Sequence, residues 1–358
     1  MPRTCVDGLR DRSATLPGLW QDASVGDELQ DLDAPAARRH ALRRLAEVRG
    51  FIGDFQVPHR DIELVTTDGV RLDATVLHGP DRTDTPAVVL AHGFAAHRRK
   101  PSYAYLADTL SRVAHVLTLD LRGHGRSGGT STLGHDEAYD IAAAVRWLRG
   151  EGHDRVVAVG VSMGGTSVAH AVGAGHAGVD AAVLVSAPGW LHDEPRTVPM
   201  AQLHAWWTVA WRRRLMQAAT RARVVAPADW TRPPHPVDSV AQLDVPLLVV
   251  HGQDDPYFPV SEAEAIAASA PQGVLWLEPP GFGHAEDGFT PGFALALGRA
   301  VQIVADEQRF PRRDEIVPSG RGRVGLAGRG DVVPAEGDGE VPRVGAPGRG
   351  AMGPEVGG

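Results

Sequence analysis

Residues 160–164 read Gly-Val-Ser-Met-Gly, a G-x-S-x-G pattern with Ser162 at its centre. In a chain with 42 glycines, composition alone yields about 0.2 such matches, so the pattern needs context. The flanks supply it. RVVAVGV precedes the serine and the small-residue stretch MGGTSVAHAVGAG follows, giving a strand, a sharp turn and a helix, the arrangement of a nucleophile elbow. Small residues suit that turn because strand and helix backbones approach closely while the hydroxyl is pushed out above the sheet. A serine at its own pKa attacks poorly and needs a base, and the base needs an acid to orient it. His284 lies in the Gly/Pro-rich turn Pro-Pro-Gly-Phe-Gly-His, and Asp254 and Asp255 lie in the loop His-Gly-Gln-Asp-Asp-Pro at 251–256. Asp193 is a more distant candidate acid.

Those loops need a frame. Between about 60 and 308, short β-branched runs alternate with Ala-rich stretches, the pattern of a mostly parallel sheet with helices on both faces. Strands are expected at 62–66 and 70–77, joined by the turn Thr67-Asp68-Gly69 as a hairpin, and at 87–91, 115–120, 155–161, 181–186, 246–251 and 274–277. Runs such as VVAVGV and PLLVV suit strands buried on both faces. Helices are expected at 101–112, 135–149, 163–174, 261–269 and 290–306. The Ser162, Asp254/Asp255 and His284 segments then all follow strands, at the end of the sheet where open α/β folds bind ligands.

The organisation expected is an N-terminal extension, 1–59, with one helix at 36–48; a core formed by 60–187 and 237–308; a Trp-rich insertion, 188–236; and a disordered tail, 309–358. The last 48 residues contain 13 Gly, 6 Pro and no aromatic, too little apolar surface to offset ordering entropy. The formal charge of −8 argues against nucleic acid as partner, since phosphate binding needs a basic surplus. The single cysteine, Cys5, allows no internal disulfide and no cysteine-held zinc. No H-E-x-x-H occurs and no G-x-G-x-x-G follows the first strand, so neither metal nor nucleotide cofactor is implied. The polar N-terminus and the lack of an apolar run of about 18 residues point to a cytoplasmic protein without stable membrane insertion.

With His92-Gly93-Phe94 after the third strand, Asp120-Leu121-Arg122-Gly123-His124-Gly125-Arg126-Ser127 after the fourth, GVSMGG, HGQDDPYFP and GFGH, the chain resembles the α/β-hydrolase superfamily over about 60–308. Within it, the chain is similar to bacterial esterases and to monoacylglycerol-lipase-like and serine-aminopeptidase-like members. The resemblance implies an α/β-hydrolase fold with a small helical cap and the order Ser, Asp, His. It assigns Ser162 as nucleophile and His284 as general base, then acid. The family's H-G-x-x-D-x-x-x-P pattern selects Asp255 over Asp254. It places an oxyanion hole at the backbone N–H groups of Met163 and Phe94, although HGF departs from the HGGG of many lipases. His92, His124 and His251 are expected to orient loops, Asp120 and Arg122 to brace the loop after the fourth strand, and Asp254 to be a solvated neighbour.

The insertion holds five of eight tryptophans. Residues 199–225 have helical composition, with Trp206, Trp207 and Trp211 on a recurring face that would either wall an apolar acyl site or pack the cap onto the domain. A third option is an amphipathic surface touching lipid. The function expected is hydrolysis of a carboxylic ester or thioester, a small-molecule substrate, through an acyl-enzyme. An aminopeptidase-like peptidase using Asp193, Glu194 or Asp229, an acyltransferase, and a noncatalytic hydrolase-fold binding protein are the alternatives. Oligomeric state is not legible in one sequence.

Overall fold

The computed structural model describes residues 52–316, apart from Thr83 and Asp193. Eight strands form one sheet: β1 (His59–Val65), β2 (Arg71–Leu77), β3 (Ala87–Ala91), β4 (His115–Leu119), β5 (Val156–Val161), β6 (Ala181–Val185), β7 (Leu247–Gly252) and β8 (Gly273–Glu278). Their order is β1-β2-β4-β3-β5-β6-β7-β8. β2 runs antiparallel to both β1 and β4, and β3 to β8 are parallel. Every strand in the sequence reading is present, with ends displaced by at most three residues. The hairpin closes as expected, with Gly69 N–H donating to the Thr66 carbonyl.

Parallel neighbours need helical crossovers, and these cover both faces. On one side lie α2 (Glu137–Gly150), α3 (Met163–Gly173), the short α6 (Pro236–Val240) and α7 (Val260–Ser269), packing Ile141, Leu148, Val168 and Ile266 onto alternate residues of the strands. On the other, α1 (Pro101–Leu110) and α8 (Pro291–Glu307) bury Leu106, Leu110, Phe293 and Leu297 against Val88, Leu90, Val157 and Val159. Strands such as AVVLA and VVAVGV are buried at every position, as their unbroken apolar runs require.

The helical composition of 199–225 takes the form of two helices: α4 (Val198–Thr208) and α5 (Ala210–Thr220) meet at Val209, whose ψ of 114° is extended, and the chain beyond Arg221 leaves helical geometry. One expectation fails, because the tail does not begin at 309. Gln308 ends α8 in the left-handed conformation, and the chain turns back across β8. Phe310 and Ile316 are buried, Trp276 Nε1 donates to the Pro311 carbonyl at 2.9 Å, and Arg313 lies over the Trp276 ring while pairing with Glu278. An edge strand carrying a tryptophan needs a cover, and 309–316 provide it. At the other end, β1 already starts at His59, and Phe55 is buried beneath Arg99. The helix expected at 36–48 and the chain beyond Ile316 lie outside the described residues.

Candidate active site

Ser162 sits between β5 and α3 with φ 52° and ψ −116°, a conformation that non-glycine residues avoid. Its surroundings hold it there. Ser162 N–H donates to the Val185 carbonyl at 2.8 Å, and the Gly165 and Thr166 N–H groups donate to its carbonyl. A Cβ on Gly160 would lie 2.2 Å from the Gly164 carbonyl oxygen, and one on Gly164 would lie 2.6 Å from those of Ala91 and His92. The two glycines of the pattern are therefore demanded by backbone contact, and the turn presents the serine side chain beyond the carboxyl end of the sheet.

There Ser162 Oγ lies 3.1 Å from His284 Nε2, and His284 Nδ1 lies 2.7 Å from Asp255 Oδ2. With a carboxylate facing Nδ1, the proton belongs on that nitrogen, which leaves Nε2 as acceptor for the serine hydroxyl. The Asp255 side chain is wholly buried, and its other oxygen accepts from the N–H groups of Tyr257 and Phe258 at 2.8 and 3.1 Å. The rings of Tyr257 and Phe258 flank the imidazole at 4.5 and 5.5 Å.

Asp254 does different work. It accepts from Gly281 and Gly283 N–H at 2.7 and 3.0 Å, which pins the loop carrying His284, and the first of these bonds holds its carboxyl below the usual range. It is the exposed, solvated neighbour expected, and in addition an anchor of the histidine loop. Ser186, at the end of β6, is a second anchor that the sequence reading missed: its hydroxyl accepts from Ala285 N–H at 3.0 Å. Its position directly after a buried strand, at the ligand end of the sheet, was the available signal.

The His92-Gly93-Phe94 turn lies against the serine, since a Cβ on Gly93 would be 3.3 Å from Ser162 Cβ. Among the described residues the Phe94 and Met163 N–H groups have no protein acceptor, so both are open to a ligand. Two neutral histidines support the turn. His92 donates from Nδ1 to the Gly93 carbonyl and accepts Leu121 N–H at Nε2; His124 donates to the Arg122 carbonyl and accepts Ala95 N–H. Burial pushes both below the ordinary histidine value. His251, also buried, bonds to the Phe258 carbonyl at 3.0 Å. Asp120 accepts from the N–H groups of Arg98 and Arg126, and Arg122 pairs with Asp140 and Asp68, so both brace the loop after β4. From behind, Gly93 N–H donates to the buried Tyr103 hydroxyl, which donates to Glu286, and Glu286 is ion-paired with Lys100.

Above the serine is a cavity of about 700 Å³. Phe94, Leu133, Met163, Trp190, Trp207 and Trp230 form much of its apolar wall, and Arg196, Glu194, Glu262 and Glu286 add charge. α4 contributes Met200, Leu203 and Trp207. Trp207 is fixed by its indole N–H to the Val225 carbonyl at 2.8 Å and by an edge contact with Trp230. Trp206 and Trp211 are not on the wall: they are 39% and 62% exposed. Neighbours on a helix point about 100° apart, so Trp206 and Trp207 cannot share a face, and the break at Val209 turns Trp211 elsewhere. Asp193 lies outside the described residues, and Asp229 does not line the cavity.

Among the described residues no cluster of His, Cys, Asp and Glu could hold a metal ion, and no helix is long and apolar enough to cross a membrane.

Comparison with known proteins gives a consistent assignment. A family model for the alpha/beta hydrolase fold matches residues 86–226. An uncharacterised protein of Mycobacterium tuberculosis is 27% identical over 229 residues, 63% of this chain and 72% of that protein. Among solved structures, an esterase of Pyrococcus furiosus superposes with a TM-score of 0.52 at 19% identity, covering 69% of this chain and 95% of the esterase. The esterase RhEst1 of Rhodococcus gives 0.51 at 22% identity, covering 68% and 98%. At such identities the structural likeness concerns the fold.

Proposed function

Because the chain is a member of the α/β-hydrolase superfamily, we propose that it hydrolyses carboxylic esters through an acyl-enzyme on Ser162. The observation that carries this reading is the unbroken line of contacts from Ser162 Oγ through His284 to the buried Asp255 carboxylate, at 3.1 and 2.7 Å. His284 Nε2 takes the hydroxyl proton as Oγ attacks the ester carbonyl carbon. Asp255 stabilises the imidazolium that results, and the Phe94 and Met163 N–H groups receive the negative charge on the carbonyl oxygen. When the tetrahedral intermediate collapses, His284 passes the proton to the departing alkoxide, so an alcohol leaves and the acyl group stays on Ser162. Water, deprotonated by the same Nε2, then attacks the acyl carbon and releases the carboxylic acid. Removing one oxyanion donor typically costs about 10² to 10³ in rate.

The cavity fits a medium to long apolar acyl group, with Trp207 in its wall. Thioesters are substrates of the same machinery. A second reading has one observation in its favour: Glu194 lines the cavity, where a carboxylate could receive the free amino terminus of a peptide. One assay separates the two. Purified protein is offered p-nitrophenyl esters from acetyl to palmitoyl beside aminoacyl anilides, with fluorophosphonate labelling read in parallel. Ester turnover and labelling that both vanish in Ser162→Ala, in a variant that stays folded, support the proposal. Labelling that survives in that variant removes Ser162 from the nucleophile role, and turnover of anilides over esters supports the peptidase.

A further inference from the structure

The cap has an outer face as well as an inner one. Of nine large apolar side chains exposed among the described residues, five (Val198, Trp206, Val209, Trp211 and Leu215) fall within residues 198–215. No residue of α4 is fully buried. Trp211 and Leu215 are one turn apart on α5 and are 62% and 53% exposed.

The charge around them is one-sided. Residues 195–228 contain six arginines and neither aspartate nor glutamate, in a chain whose formal charge is −8. Arg212, Arg213, Arg214 and Arg221 form no ion pair with a carboxylate among the described residues, whereas Arg196 faces the cavity beside Glu262. Arg212 lies over the Trp211 ring at 5.4 Å, and Arg213 caps the Trp207 carbonyl at the end of α4. Tryptophan and leucine flanked by guanidinium groups suit a boundary where rings lie among head groups and cations meet phosphates. The remaining surface, net acidic, is repelled by an anionic boundary, so attraction and repulsion together select one orientation.

We propose that the outer face of α4 and α5 docks on the surface of an anionic phospholipid bilayer, peripherally and without spanning it. The same two helices carry Met200, Leu203, Trp207 and Met216 on the cavity side, so docking sets the cavity against the source of its acyl chains. This last step rests on the hydrolase reading; the docking itself does not.

The test is cosedimentation of the full chain with vesicles of phosphatidylcholine alone and of an equimolar mixture with phosphatidylglycerol. Binding to the mixed vesicles that weakens with salt, and little binding to phosphatidylcholine, is expected. Arg212→Gln with Arg214→Gln should weaken partitioning about 30-fold, from roughly a fivefold factor for each cation near such a surface. Trp211→Ala with Leu215→Ala should weaken it by tenfold or more. Both double variants should keep the wild-type melting temperature and hydrolysis of soluble p-nitrophenyl acetate, because Trp211, Arg214 and Leu215 are exposed, Arg212 is half-buried without an ion pair, and none of the four lines the cavity. Ser162→Ala should bind vesicles as the wild type does, whereas a wild-type protein that binds vesicles and turns over no ester refutes the hydrolase reading alone. Equal binding to both vesicle types, or wild-type binding by either double variant, overturns the docking proposal. So does a sedimentation-velocity shift from oligomer to monomer in Trp211→Ala with Leu215→Ala, which would assign the face to a second copy of the chain.

Discussion

Around Ser162, the side chains of His92, His124, Asp255 and His284 each engage both of their polar atoms in specific hydrogen bonds, whereas α4, a few ångströms above, buries none of its residues completely. The sheet end is fixed by backbone groups of β5, β6 and β7 and by loops that anchor one another. The cap is joined to it through its flanking segments and not through the body of α4: Gly189 N–H to Glu262, Thr197 Oγ1 to the Tyr257 carbonyl, Arg223 to the Ser127 and Gly129 carbonyls, Trp230 Nε1 to the Thr132 carbonyl, His170 to the Pro234 carbonyl, and the paired segments at Ser131 and Val224. Bond-making needs sub-ångström placement, and selection of a chain length needs volume and apolar contact. On the proposed reading, the hydrogen-bonded sheet end serves the first task and the cavity wall with Trp207 serves the second.

If that division holds, substitutions at the sheet end should change turnover, and substitutions in the cap should change preference. The largest effect is expected at Asp255. Asp255→Asn should lower kcat by about 10⁴, as loss of the orienting acid does in other triads. Asp254→Asn, which weakens a loop anchor, should cost only about fivefold, roughly one hydrogen bond. Steady-state kinetics on one soluble ester ranks them, and the reverse order would dissolve the distinction between orienting acid and anchor. Next is the cover over β8. A deletion starting at Arg309 should be about 4 kcal/mol less stable than one starting at Val317, since it uncovers Trp276 and removes the buried Phe310 and Ile316. Denaturant unfolding of the two truncations measures the gap, and equal midpoints would mean that 309–316 contribute nothing.

A smaller effect is expected in the cap. Burial of four further methylenes gains roughly 3 kcal/mol, over a hundredfold in kcat/KM if realised in the transition state. Trp207→Ala should flatten that rise from butyryl to octanoyl esters while barely changing acetyl ester hydrolysis, and Trp206→Ala should leave the profile intact. A flattened profile in Trp206→Ala instead would reverse the assignment of inner and outer faces. The smallest effect concerns pH. Burial holds His92 and His124 below their ordinary value, so below about pH 6.5 the unfolded chain binds more protons than the folded one. Stability should therefore rise with pH through that region and fall on acidification, by up to about 1.4 kcal/mol per pH unit for each histidine. His124→Gln keeps an acceptor for Ala95 N–H and cannot titrate, so its melting temperature should fall less steeply from pH 6.5 to 5. A slope equal to that of the wild type would remove His124 from the acid response.

What the sequence revealed follows the same division. The strands and the elbow were legible because their signals are local: VVAVGV is an unbroken apolar run buried on both faces, and Gly160 meets the Gly164 backbone four residues on, although Gly164 in turn meets the distant Ala91 and His92 carbonyls. His284 and Asp255 were legible through resemblance, because loops after strands keep their order along the chain. The cap was only half legible. Composition located its tryptophans, but which of them faces inward depends on the break at Val209, which no residue type announces. The anchoring role of Asp254 was not legible because its partners, Gly281 and Gly283, are distant in sequence. The cover over β8 was hidden by averaging: residues 311–316 were counted with the Gly/Pro-rich segment that follows them, and Phe310, the aromatic just before, was left out of the count.

Lys100 is the only lysine in the chain, and it is ion-paired with Glu286, which lines the cavity and accepts the hydrogen bond from Tyr103. The consequence is practical. Side-chain amine chemistry has a single address on this protein, so an acylating dye or an activated resin would, besides the chain's α-amine, react at one defined point beside the cavity and not at many points scattered over the surface. Immobilisation or fluorescent tagging by that route would strip Glu286 of its counter-charge, whereas coupling through the abundant surface carboxylates would leave the pair intact. The rarity of one residue type thus turns an ordinary conjugation reagent into a site-directed reporter of the cavity.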